Sequence, residues 1–182
     1  MTSPAAPVRS RQVRIDGFVV LALLSPAFAC DRIWPREPDL TLPPIEDVRA
    51  IYRDNGLDAA IRYRGNVLEI RVTQPAEQIR QGGSLWARVG PWVYLFSPGT
   101  RRILEGYPGV AAVRVITTTA NREIARASLR TGVLSDVLWR RSLNILGHAL
   151  REGTQNPVRL QELAEWGERY GDYTYNPDFV PR

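Results

Sequence analysis

The sequence predicts an α+β domain: an antiparallel four-stranded sheet built from two hairpins, helices packed on one face, and a C-terminal helical pair. Three observations carry this. The alternating segments 59–64 and 67–73 flank Gly65-Asn66, a two-residue turn pair. A second pair of segments, 110–119 and 123–130, flanks Ala120-Asn121. Apolar residues three and four positions apart mark helices before, between and after the hairpins. The order helix, hairpin, helices, hairpin, helices belongs to the α+β class.

The first helix runs from Ile45 to Asn55. Val48, Ile51 and Tyr52 share one face, Glu46 and Asp47 sit in the first turn, and Asn55-Gly56 stops it. In the first hairpin the turn and the side-chain pattern fix one register. Tyr63 faces Leu68 and Ile61 faces Ile70 on the buried side, while Arg62 faces Glu69 on the other. Slipping by one residue sets Arg62 against an apolar neighbour. Pro75 starts a helix that Gly82-Gly83 is expected to break. Ser84 then caps a second one from Leu85 to Phe96, with Pro91 expected to kink or split it. Leu85, Trp86, Val89, Trp92, Val93 and Phe96 give it a wide apolar face.

Ser97-Pro98-Gly99 reads as a turn, and 101–106 as a short helical piece. In the next strand Val113, Val115 and Thr117 alternate with Arg114, Ile116 and Thr118. The segment 123–130, EIARASLR, fits a fourth strand and also a helix. Ser135 caps a helix to Arg151 with Leu138, Ser142, Ile145, Leu146 and Ala149 inward. Asn156-Pro157 opens the last helix, to Tyr170, with Leu160, Leu163, Ala164 and Gly167 as its stripe. The aromatic tail GDYTYNPDFVPR is expected to pack back on the domain.

The N-terminal stretch sets the expected compartment. Arg9, Arg11 and Arg14 precede an apolar run, 18–24. Ser25-Pro26 breaks the run, and Ala27-Phe28-Ala29 places small residues where a signal peptidase reads. These are the three parts of a secretory signal peptide, and the run is far short of the ~20 residues of a permanent span. The only cysteine, Cys30, follows directly. Ala27-Phe28-Ala29-Cys30 resembles the lipobox of bacterial lipoproteins, with Ala27 where that family prefers Leu. The resemblance implies cleavage after Ala29 and a diacylglycerol-linked, palmitate-bearing Cys30 as the new N-terminus. It covers 17–31 and says nothing of the mature domain. Asp31 resembles the inner-membrane retention signal of enteric bacteria. The alternative is a cytosolic domain in which 14–24 is a core strand and Cys30 a small core residue. A lone cysteine in an exported chain needs a role other than a disulfide, and acylation supplies one.

The expected organisation is therefore a signal peptide (1–29), a lipidated cysteine with a Pro-rich tether (30–44) and a single domain (45–182). The tether's four prolines favour extended backbone. Removing the signal leaves roughly 150 residues, enough to bury a core without disulfides or metals. The apolar fraction of 44% and five tryptophans fit a folded domain. The pI of 9.9 comes entirely from arginine, 24 residues without one lysine. Runs never exceed two, at Arg101-Arg102 and Arg140-Arg141, so no basic tail points to nucleic acid.

Residues with chemical potential are sparse. The single histidine, His148, lies mid-helix; zinc there needs three further ligands, so no metal and no cofactor are expected. Ser128, Ser135 and Ser142 lie in no nucleophile-elbow motif. Glu162, Glu165 and Glu168 read as the solvated face of the last helix, Gly82-Gly83-Ser84 lacks the Lys of a phosphate loop, and Asp172 and Asp178 lack EF-hand spacing. The expected function is a membrane-anchored, non-catalytic envelope lipoprotein that binds or scaffolds another component. Its candidate interface is Trp86, Trp92, Phe96, Tyr173 and Tyr175, for which core packing under the sheet is the competing assignment. Two alternatives stand beside it: an accessory subunit of a larger membrane complex, and a periplasmic hydrolase using carboxylates.

Overall fold

A computed structural model describes residues 39–57, 59–176 and 178. The chain follows α1(Ile45–Asp54), β1(Ala60–Arg64), β2(Val67–Thr73), α2(Ala76–Leu95), α3(Pro98–Gly106), β3(Ala112–Thr119), β4(Arg122–Arg130), α4(Asp136–Glu152), α5(Pro157–Tyr170) and β5(Asp172–Tyr175). This is an α+β fold, but its sheet has five strands and is mixed. Strand order equals chain order, and β2 pairs with β3 in parallel while every other pairing is antiparallel.

The expectation of two separate hairpins in a four-stranded antiparallel sheet is thus corrected at two places. The connection through α2 and α3 returns the chain to the end where β2 began, so β3 enters alongside β2 with Leu68 opposite Val113 and Ile70 opposite Val115. The aromatic tail adds β5, with Tyr173 opposite Ala127 and Tyr175 opposite Ala125. Segment 123–130 is strand, not helix.

The first hairpin has the expected register: Ile61 with Ile70, Arg62 with Glu69, Tyr63 with Leu68. Gly65 has φ of +61° and Asn66 no positive φ, the type II′ pattern that suits the twist of a two-residue hairpin. At the second turn both Ala120 (φ 45°) and Asn121 (φ 61°) are left-handed, the type I′ pattern.

Two helix boundaries differ from expectation. α2 is one helix of 20 residues; it runs through Gly82-Gly83 and contains Pro91. Packing outweighs local propensity here. Trp86, Val89, Trp92, Leu95 and Phe96, at helical spacing, all lie in the core beneath the sheet. Ser97-Pro98-Gly99 is the start of α3: Ser97 accepts the Thr100 N–H at 3.2 Å, and Pro98 occupies the first turn, where its missing N–H costs little. Ser135 caps α4 as expected, through the Leu138 N–H at 3.5 Å.

One core holds the helices to the sheet. Leu68, Ile70, Val113, Val115, Ala127 and Leu129 of β2–β4 join residues of all five helices, among them Val48, Trp92, Ile103, Ile145 and Leu163. The end of the Pro-rich segment also lies on the domain. Leu42 packs against the core, and the Pro43 carbonyl accepts the Tyr63 hydroxyl at 3.0 Å. Among the described residues no helix is long and apolar enough to cross a membrane.

Candidate binding face

Because the core takes one side of every strand, alternate residues emerge on the other. Register places six arginines there: Arg62 and Arg64 on β1, Arg71 on β2, Arg114 on β3, Arg126 and Arg130 on β4. Three carboxylates, Glu69, Glu123 and Asp172, share that side. Glu123 pairs with Arg126 at 2.9 Å and Asp172 with Arg130 at 3.2 Å, so the β4–β5 half is nearly balanced.

The β1–β3 half is not balanced. Glu69 is 3% exposed and is gripped by Arg62 on two nitrogens, one at 2.8 Å, with Arg64 at 3.3 Å and Arg114 at 3.9 Å. Burial alone would raise its pKa. The Arg62 hydrogen bond and the charges of Arg62, Arg64 and Arg71 outweigh that and hold the carboxyl below its ordinary value. One carboxylate therefore holds three guanidinium groups, and Arg71 adds a fourth positive charge nearby, leaving a surplus of positive charge. Arg62 and Arg64 remain more than half exposed, while Glu69, Ile116 and Thr118 form a buried centre. Such a surface suits an anionic group: arginines already oriented by one acid have donors left for a second.

The expected site residues fall elsewhere. Ala29 and Cys30 lie outside the described residues. Trp86, Trp92 and Phe96 are buried, and the last two stack at 5.8 Å, so they offer no surface to a partner here. Tyr173 stacks on Trp92 at 5.6 Å and with Tyr175 is only half-buried. His148 Nδ1 lies 3.2 Å from Glu152, a neighbour on its own helix. Ser142 is engaged twice, donating to the Leu138 carbonyl at 2.8 Å and accepting from Trp166 Nε1 at 2.8 Å. Glu168 binds Arg88 through both oxygens, at 2.7 and 2.6 Å; Glu162 pairs with Arg159 and Glu165 with Gln161. Asp178 pairs with Arg122 at 3.1 Å. Gly82-Gly83 lies inside α2 rather than at a helix start. Among the described residues no group of three metal-ligating side chains comes together.

Two other hollows are weaker candidates. A cleft of about 270 Å³ lies between Arg130, Arg169, Tyr170 and Asp172. A more apolar one of about 200 Å³ lies between Tyr52, Tyr94, Leu146 and Leu150. The arginine cluster was not visible along the chain, where its members are two to more than fifty positions apart. Only the outward phase of Arg62, Glu69 and Arg114 could be read from alternation.

Compared with protein-family models, characterised proteins and solved structures, the chain matches none.

Proposed function

We propose that this protein is an exported, lipid-anchored binding domain. It is held to a bacterial envelope membrane through Cys30 and presents the arginine-lined side of its sheet to an acidic envelope component. The observation that carries the binding role is the grouping of Arg62, Arg64, Arg71 and Arg114 around the single buried carboxylate of Glu69. Chemically capable side chains elsewhere support a non-catalytic role, since Ser142, His148 and Glu168 are each committed to a structural partner.

The anchor rests on the lipobox-like run ending at Cys30. Because residues 42–43 are docked on the domain, Cys30 is separated from it by about eleven residues of sequence, a reach of at most roughly 40 Å. The domain then works close to the membrane surface.

Two measurements test the reading. Labelled palmitate should enter the wild-type chain and not Cys30→Ala, and Cys30→Ala should leave the membrane fraction; a variant that still pellets removes the anchor. The purified full chain should be retained on immobilised polyglutamate at low salt, and Arg71→Glu/Arg114→Glu should elute well before it. Co-elution of the two removes the binding face.

A further inference from the structure

We propose that the outer edge of β1 takes up an extended acidic segment of a partner protein as a sixth strand. This deepens the binding role proposed above and rests on it.

The argument begins with hydrogen-bond phase. In a hairpin closed by a two-residue loop, the pair flanking the loop exchanges backbone hydrogen bonds and the pattern alternates from there. Arg64 and Val67 flank the loop, so Arg64, Arg62 and Ala60 bond to β2. The N–H and C=O groups of Ile61 and Tyr63 must point away from the sheet. Among the described residues no backbone hydrogen bond reaches them. β1 contains neither proline nor a register shift; what guards this five-residue edge is the charge of Arg62 and Arg64, which repels most strands and favours an acidic one.

Space and charge lie in the same place. Three depressions adjoin this edge near Ala59–Arg62. One of about 250 Å³ is bounded by Arg49 and Arg53 of α1 with Leu57, Ala59 and Ile61. A second, of about 190 Å³, is bounded by Ala60, Arg62, Glu69 and Arg71. The third, of about 370 Å³, runs over Ala59, Arg71 and Thr73. A strand laid along β1 would send alternate side chains to opposite sides of the sheet. On one side they meet Arg53 and Arg49, the latter already paired with Glu46 at 2.6 Å; on the other, Arg62 and Arg71. Carboxylates suit both sides.

The same arginines argue against a second copy of this chain as the occupant. Two β1 edges paired together would set arginine against arginine, a like-charge arrangement that destabilises cross-strand pairs. Main-chain hydrogen bonds would supply affinity and the flanking arginines selectivity, as in other strand-addition complexes.

The test uses the full chain in detergent at low salt and the acetylated heptapeptide Glu-Glu-Val-Glu-Val-Glu-Glu, which carries carboxylates on both sides of a strand. Binding is followed by fluorescence anisotropy. The acidic peptide should bind, and its Lys/Val counterpart should not. N-methylation of one alternate set of its amides should weaken binding ~30-fold, the worth of the two hydrogen bonds that the Ile61 and Tyr63 carbonyls would accept, while methylation of the other set should leave it unchanged. Arg71→Glu should weaken the unmodified peptide ~10-fold. Equal binding of both methylated sets with the Arg71→Glu loss retained would overturn strand addition and leave the arginine-face reading standing. Failure of the acidic peptide to bind, or equal binding by the Lys/Val peptide, overturns the inference as well; polyglutamate retention then judges the broader reading separately. A concentration-dependent dimer that excludes the peptide overturns it in favour of self-pairing.

Discussion

Replacing Gly167 by Ala should destabilise the domain, against the usual preference of a helix interior. Gly167 lies within α5, where alanine ordinarily gains ~1 kcal/mol over glycine. A Cβ built there would stand 2.2 Å from Cδ2 and 2.4 Å from Cε2 of Trp92, whereas carbon atoms settle at ~3.5–4 Å. The indole cannot step aside easily: it is fully buried, with Phe96 stacked at 5.8 Å and Tyr173 at 5.6 Å. Overpacking of this kind costs ~1–3 kcal/mol, and a displacement above an ångström puts this site at the upper end. The net loss is then ~2 kcal/mol, or ~4–8 °C in Tm. Gly147 in α4 is the control. A Cβ there meets only the Arg151 guanidinium, at 3.2 Å, the mobile end of a flexible side chain. Gly147→Ala should therefore gain ~1 kcal/mol and melt ~2–4 °C higher. Thermal unfolding followed by circular dichroism reads both signs. A Gly167→Ala protein that melts at or above wild type would refute the claim that Trp92 is locked.

Three further outcomes follow from described contacts. Glu69 is held below its ordinary value near 4.5 in the folded state, so its contribution is complete above that value and lost as pH falls through the lower folded one. Glu69→Gln should cost ~1 kcal/mol at pH 7 and flatten the acid side of the stability curve in urea titrations; an unchanged acid slope contradicts the pairing. Ala120→Gly, at a left-handed position that costs a non-glycine residue ~1–2 kcal/mol, should stabilise the β3–β4 turn by ~0.5 kcal/mol after the added entropy of glycine, seen as a small upward shift of the urea midpoint. Thr100 lies in a buried chain, its hydroxyl 2.9 Å from Tyr52 Oη and donating to the Tyr94 carbonyl at 2.8 Å. Thr100→Val should cost ~2 kcal/mol by stranding the buried Tyr52 hydroxyl, and adding Tyr52→Phe should recover part of that loss in a double-mutant cycle.

What could be read along the chain was what short-range geometry determines. The first hairpin was legible to the residue because Gly65-Asn66 and the alternation about it agree on one register. α1, α4 and α5 were legible from their apolar spacing and flanking polar or proline residues. Local punctuation misled where long-range burial overruled it. Gly82-Gly83 does not end α2, because Trp86, Trp92 and Phe96 hold that helix against the sheet. Pro98-Gly99 begins a helix because Ser97 caps it. The parallel pairing of β2 with β3 has no local signature, for it depends on where two intervening helices return the chain. The candidate site inherits that blindness. Arg62 with Glu69 could be seen across one turn, but Arg114 joins them only through the parallel pair. Trp86, Trp92 and Phe96, named as a candidate interface beside the core-packing assignment, are core, and the sequence alone separates the two poorly because the same indole rings serve either purpose.

Identity of strand order and chain order has a consequence for biogenesis. Each new strand attaches to the growing margin made by the one before it, and none has to be threaded between two neighbours already in place. A polypeptide emerging N-terminus first from the ribosome could lay down its sheet in the sequence of its emergence. β5 would then complete it only after nearly the whole chain has emerged.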